Sequence, residues 1–263
     1  MTIWHDIDTY AKKWITEAGE RIRTSFKEEL TIQSKSNADD LVTNMDKETE
    51  QYFISKINET FPAHKILGEE GFGNQLESLE GVIWIIDPID GTMNFVHQQR
   101  NFAISVGVFE NGVGKLGYIY DVVHDELYHA IQGEGAFLNE MRIPNLNETA
   151  LTEAVIGINA TWVTENKRIN PSVLGPLVKD VRGTRSYGSA ALEIAYVVTG
   201  RLDAYITMRL SAWDFAAGMV LIEEVGGKLT TLEGNEINLL EENSILVAKN
   251  NIHQEILTKY IRK

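Results

Sequence analysis

The 263 residues are 43% hydrophobic and 24% charged, the balance of a globular protein with enough chain for one large core or two smaller ones. The absence of cysteine excludes disulfides, thiolate metal sites and a cysteine nucleophile, and no stretch approaches the ~20 apolar residues that cross a bilayer. A net charge of −14 without a basic run argues against nucleic-acid and membrane partners and suits divalent cations.

The opening residues, Met1 to Asp6, lack a basic region followed by an apolar core, so a cytoplasmic protein is expected. Ile7, Ala11, Trp14, Ile15, Ala18 and Ile22 recur at helical spacing and predict an amphipathic helix from Trp4 to about Phe26. A second helix is expected from about Lys47 to Asn58. It is followed by a short strand at Ile66-Leu67 running into a loop at Gly68-Glu69-Glu70-Gly71. Val82 to Ile86 has the length and β-branching of a buried strand, expected to stop at Asp87-Pro88. Strands over Phe102–Phe109 and Leu116–Tyr120 flank the hairpin signal Asn111-Gly112, with more β structure to about Phe137.

Composition turns polar between about Asn139 and Glu153, which suggests an α+β domain over 1–143 and an α/β domain over 144–263. Within the second, helices at about Ser189–Val198 and Asp214–Val225 flank strands at Ala204–Thr207 and Ser244–Ala248.

The sharpest chemical feature is Asp87-Pro88-Ile89-Asp90-Gly91-Thr92, placed directly after the buried strand. Pro88 fixes its own φ and biases Asp87 toward an extended conformation, so the two carboxylates leave the strand in a set relation. Gly91 allows a ligand close to the backbone, and amides of a following helical turn favour an anion. On its own this hexapeptide reads equally well as turn dipeptides, and Asp214 as a helix cap. The further carboxylates at Glu69-Glu70 and Trp213-Asp214 weigh toward a hard-cation site. Mg²⁺ takes oxygen ligands in near-octahedral geometry, and paired ions clamp both oxygens of a phosphoryl displacement.

In these blocks the sequence resembles the inositol monophosphatase family of lithium-sensitive, magnesium-dependent phosphatases. The resemblance rests on Gly68-Glu69-Glu70-Gly71, on Trp84 to His97, on Trp213-Asp214-Phe215-Ala216-Ala217-Gly218 running to Gly226-Gly227, and upstream on Asp40 to Asp46. It implies a layered α-β-α-β-α sandwich of the sugar-phosphatase type, two sub-domains with the site between them, and a homodimer. It further implies that Glu69, Asp87, the Ile89 carbonyl, Asp90 and Asp214 bind roughly two or three Mg²⁺, with Mn²⁺ able to substitute and Li⁺ and Ca²⁺ inhibitory.

By the same resemblance Thr92 and Glu69 orient an attacking metal-bound water, with Asp46 behind Thr92. Asp90, Gly91, Thr92 and Asp214 face the phosphate ester, and Gly188, Ser189 and Ala190 its alcohol part. Lys35 adds charge near the site or is a solvated surface lysine. Animal members carry a glutamate that holds inositol hydroxyls where this chain has Thr207, which puts strict inositol specificity in doubt. Thr207 also reads as a plain strand end, with a loop near Trp162 or Arg209 reading the substrate instead. The substrates implied are small polyol, sugar or nucleotide phosphates: inositol monophosphate, NADP, 3'-phosphoadenosine phosphate or fructose 1,6-bisphosphate.

Two near matches fail on context. Gly112-Val113-Gly114-Lys115-Leu116-Gly117 fits G-x-G-x-x-G but lies in a hairpin with no helix after it. An aspartyl-phosphate phosphatase would need Asp at position 88, which is Pro88. A metal-binding regulatory protein of the same fold is the non-enzyme alternative, and the intact Glu69, Asp87, Asp90, Thr92 and Asp214 argue against it.

Overall fold

The computed structural model describes residues 3–27, 30–34, 41–73 and 76–262. Lys35 and the first residue of the upstream motif, Asp40, lie outside that set. In chain order the elements begin with α1 (Ile3–Ser25), β1 (Ile32–Ser34), β2 (Leu41–Thr43), α2 (Asn44–Thr60), β3 (Lys65–Gly68), β4 (Val82–Asp90) and α3 (Thr92–Gln98). A run of strands follows: β5 (Ala103–Glu110), β6 (Val113–Asp121), β7 (Glu126–Ile131), β8 (Gly135–Leu138) and β9 (Met141–Arg142). The remainder is β10 (Val155–Ile158), α4 (Pro171–Asp180), β11 (Gly183–Arg185), α5 (Ala190–Val198), β12 (Ala204–Leu210), α6 (Ala212–Glu224), β13 (Gly227–Thr230), β14 (Asn243–Lys249) and α7 (Asn250–Ile256).

Three apolar clusters stack these elements into five layers. Ile7, Trp14, Ile15 and Ile22 of α1 and Phe53 and Ile57 of α2 pack on Trp84, Ile86, Ile104 and Val106, one face of a sheet ordered β3-β4-β5-β6-β7-β8-β9. Alternation along β4 sends Ile83 and Ile85 to the opposite face, where they meet Leu192 and Ile194 of α5 and Phe215, Ala216 and Leu221 of α6. The far side of these two helices covers Tyr205, Ile245 and Val247 of a second sheet, ordered β11-β10-β12-β14-β13. The outer face of that sheet, with Ile156, Ile206 and Leu246, is closed by Leu174 and Leu177 of α4 and Ile252 and Ile256 of α7. The result is the expected α-β-α-β-α sandwich.

Two details differ from the expected elements and both lie at the site. β4 does not stop at Asp87-Pro88 but runs to Asp90. Its partner β3 has ended opposite Ile86, and the register against β5 shifts between Asp87 and Asp90, so Pro88 falls where no ladder hydrogen bond is required of it. Likewise Thr207 does not end its strand, because β12 continues to Leu210 through a bulge between Thr207 and Leu210 against β14.

Candidate active site

The end of β4, the start of α6 and the loop after β3 meet between the large sheet and the central helices. Asp87 pairs in register with Ser105 on β5, and Ser105 Oγ donates to the Trp213 carbonyl at 3.0 Å, which pins the first turn of α6 beside Asp87. Two glycines allow the helix to lie that low on the sheet. A Cβ on Gly107 would stand 3.1 Å from the Ala216 carbonyl carbon, and one on Gly117 only 2.4 Å from the Ala217 carbonyl oxygen.

The consequence is a cluster of acids. Asp87, Asp90 and Asp214 each offer a carboxylate oxygen within 4.8 Å of the others. Burial pushes the Asp87 carboxyl well above its usual range, and the charges of Glu69, Asp90 and Asp214 push it further. Asp214 is raised in the same way, by burial and then by Asp90. Burial also raises Asp90, but Ser189 Oγ and the Ala191 amide (2.7 Å) both donate to its Oδ2 and restrain the rise, leaving it at about 6. Among the described residues no salt bridge reaches any of the three. Asp214 also serves its own helix, since Oδ2 accepts from the Ser211 amide at 2.8 Å. The same side chain thus closes the capping box of α6 and joins the acid cluster.

Thr92 and Asp46 come together from 46 positions apart: Thr92 Oγ1 lies 3.1 Å from Asp46 Oδ1 and 3.1 Å from the Ile89 carbonyl. Asp46 Oδ2 accepts from the Thr43 amide (2.7 Å) and hydroxyl (2.5 Å) at the start of α2, and burial lifts its pKa to about 6. Glu69 follows β3, its amide donating to the Ile86 carbonyl at 3.2 Å, and its charge acts on Asp87, Asp90, Asp214 and Asp46. Gly91 has φ +95° and faces the Gly188 and Asn101 carbonyls, at 3.1 and 3.2 Å from any Cβ placed there.

Ser189 is buried on Asp90, and Ala190 begins α5. Thr207 is buried two positions along β12 from the buried Tyr205. Arg209 is exposed at the β12 bulge and draws the Asp214 carboxyl down slightly, whereas Trp162 packs on the outer core cluster.

Sequence reading missed Glu50. Its buried carboxylate accepts from the Glu70 amide (2.7 Å) and the Phe72 amide (2.9 Å), and so holds the loop that carries Glu69. The signal was present: Asp46, Glu50, Phe53 and Ile57 share the buried face of α2, where an acid has no reason to be unless it binds something.

Comparison with known proteins identifies relatives along the whole chain. The sequence matches the inositol monophosphatase family over residues 4–263, and is 66% identical over 261 residues to the inositol-1-monophosphatase of Bacillus subtilis, covering 99% of this chain and 98% of that one. The chain belongs to the inositol monophosphatase family. Among solved members of the family, inositol monophosphatase-II from Staphylococcus aureus superposes with a TM-score of 0.90 at 44% identity, covering 98% of this chain and 94% of that chain. SaIMPase-II has been seen with inositol monophosphate bound and with 2'-AMP bound, each at 43% identity, a TM-score of 0.89 and the same coverage. An IMPase/NADP phosphatase complexed with Mg²⁺ and phosphate gives 0.89 at 31% identity, over 97% of this chain and 95% of that chain.

Proposed function

We propose that this chain hydrolyses a range of small phosphate monoesters of polyols, sugars and nucleotides, the 2'-phosphate of NADP among them, with magnesium as its cofactor. The chain is an inositol monophosphatase-like phosphatase. The convergence of Asp87, Asp90 and Asp214 within 4.8 Å carries the metal reading, because two buried and one half-buried like charges, with no salt bridge to any of them among the described residues, suit a cation from solution. Glu69 and the Ile89 carbonyl complete the donor set. Bound there, magnesium would offset the carboxylate charge and supply Lewis-acid polarisation of the phosphoryl oxygens.

The side chains around that set do the rest. Thr92 Oγ1 donates its proton to Asp46 Oδ1, which leaves an oxygen lone pair to accept a hydrogen bond from the attacking water. Thr43 holds Asp46 still, and Glu50 holds the Glu69 loop opposite. The water oxygen bonds to phosphorus as the ester oxygen departs with a proton, giving free alcohol and inorganic phosphate without a phosphoenzyme. Gly91 and Thr92 receive the phosphate, and the Gly188-Ser189-Ala190 turn faces the alcohol.

Breadth is supported at Thr207: a short, neutral, buried hydroxyl stands where a glutamate would hold inositol. The ligands seen on SaIMPase-II, inositol monophosphate and 2'-AMP, span the same range. Manganese substituting for magnesium, inhibition by lithium and calcium, a homodimer, a cytoplasmic location and a division near Ile143 complete the proposal. No described helix is long and apolar enough to cross a membrane.

A phosphate-release assay with Mg²⁺ on inositol monophosphate, NADP, fructose 1,6-bisphosphate and 3'-phosphoadenosine phosphate tests it. Release from two or more is expected; a single substrate refutes breadth, and none refutes the activity. Thr207→Glu should move the kcat/KM ratio toward inositol monophosphate and away from NADP by about ten- to a hundredfold, the worth of one buried charged hydrogen bond.

A further inference from the structure

α5 is apolar almost throughout, with Ala191, Leu192, Ile194, Ala195, Val197 and Val198 fully buried, yet Glu193 sits among them at 3% exposure. Burial in that setting pushes its carboxyl up to about 7, against which the amides of Tyr187 and Gly188 act. Glu193 Oε1 accepts from the Tyr187 amide at 2.8 Å and the Gly188 amide at 3.4 Å, while Oε2 accepts nothing from the described residues. Space for Oε2 exists only because position 157 is glycine, where a Cβ would lie 2.3 Å from that oxygen. An aliphatic residue would fill this place on the helix without the cost of burying a charge. The carboxylate is accounted for by what it holds.

It holds one wall of the site. Asn94 Nδ2 donates to the Tyr187 carbonyl at 2.7 Å, so the Tyr187 residue is gripped through its amide by Glu193 and through its carbonyl by Asn94. The next residue, Gly188, has φ +78° and presents its carbonyl to Gly91, 3.1 Å from any Cβ there. The one after, Ser189, donates its hydroxyl to Asp90. A shift of this turn therefore moves both the surface beside Gly91 and the hydrogen bond that orients a proposed metal ligand.

We propose that Glu193 is the positioning residue of this reaction, fixing the Tyr187-Gly188-Ser189 turn so that Ser189 aligns Asp90 and Gly188 abuts Gly91. The inference rests on the phosphatase reading. Glu193→Leu removes the acceptor and should lower kcat about ten- to a hundredfold at saturating Mg²⁺, the effect of displacing a reacting geometry by a fraction of an ångström to an ångström. Glu193→Gln keeps an acceptor oxygen and should restore most of that loss.

Gly157→Ala approaches from behind: its methyl group presses on Oε2 without touching the turn, and it should lower kcat in the same way. With Glu193→Ser, which removes the 2.3 Å contact and leaves the methyl the looser neighbours Tyr205 Cδ2 at 3.1 Å and Leu202 Cδ1 at 3.2 Å, Gly157→Ala should add little further loss, so the two effects should not be additive. If Glu193→Leu does not fold, the Gln variant and the Gly157→Ala cycle decide alone. Variants that lower only the melting temperature while keeping the wild-type kcat, or an additive cycle, overturn the proposal with the phosphatase reading intact. Wild-type protein that releases no phosphate overturns both.

Discussion

Two of the places where this molecule buries aspartate treat it in opposite ways. On the second sheet, Asp203 Oδ1 lies 2.7 Å from Lys249 Nζ and Oδ2 accepts from the Val155 amide at 2.7 Å, so the charge is paired and its oxygens are satisfied. At the end of β4, Asp87, Asp90 and Asp214 crowd within 4.8 Å and push one another's carboxyls upward. Burying a charge is tolerable when the fold supplies its partner. Where the fold supplies more negative charge instead, the arrangement is stable in proportion to what arrives from outside. The first pair belongs to architecture and the second cluster to the proposed metal site, although both are built from the same side chain.

Removing a charge from each place should separate the two. Asp87→Asn should lower kcat about a thousandfold or more at saturating Mg²⁺, while the melting temperature of the metal-free protein holds or rises because a repulsion has gone. Near-wild-type turnover would remove Asp87 from the metal set. Lys249→Met should do the reverse, costing roughly 3–5 kcal/mol of stability by stranding Asp203, with kcat per folded molecule unchanged. Chemical denaturation alongside turnover measures both, and a stable Lys249→Met protein would show that the pair contributes little.

A smaller effect is expected one step from the acids. Thr92→Ala should lower kcat by about a hundredfold and Thr92→Ser should recover much of it, since the hydroxyl that bonds Asp46 is the group in use. Alanine and serine variants of equal activity would deny the hydroxyl its role.

The expectation that involves no change in turnover at all is the pH dependence of stability without metal. Asp46 and Asp90, raised from 3.8 to about 6, hold protons more tightly folded than unfolded. Their stabilising contribution is complete below pH 4 and is lost as pH rises through 6, with Asp87 and Asp214 shifted in the same direction. Glu126, lowered to about 2 by Arg201, has the opposite sign but acts below this window. Metal-free protein should therefore lose on the order of 2 kcal/mol for each such carboxyl between pH 4 and 7, and excess Mg²⁺ should flatten or reverse the slope. A metal-free melting temperature that rises across this range would contradict the picture.

How much of this was readable in the chain follows from how local each feature is. Asp87-Pro88-Ile89-Asp90-Gly91-Thr92 carries its own geometry, and Trp213-Asp214 announces a helix start, so both sets of acids were visible as sequence. The continuation of β4 through Pro88 was not, because it depends on β3 ending opposite Ile86 and on a shift against β5, neither of which leaves a mark near residue 88. Ser105 looks like an ordinary strand serine until the register sets it opposite Asp87 and α6 arrives above it. Glu50 and Glu193 were within reach, since each is an acid on a helix face that otherwise faces a core, but the loops they hold are known only from the folded chain.

Gly117 carries a message about distance. A single methyl there would meet the Ala217 carbonyl at 2.4 Å, and relieving that contact would raise α6 from the sheet by on the order of 1 Å, carrying Asp214 with it. The reach between two acids of the proposed metal site is thus calibrated by an omitted carbon about a hundred positions from one of them. The precision of this site is stored partly as empty volume, in a strand that carries none of the proposed site residues.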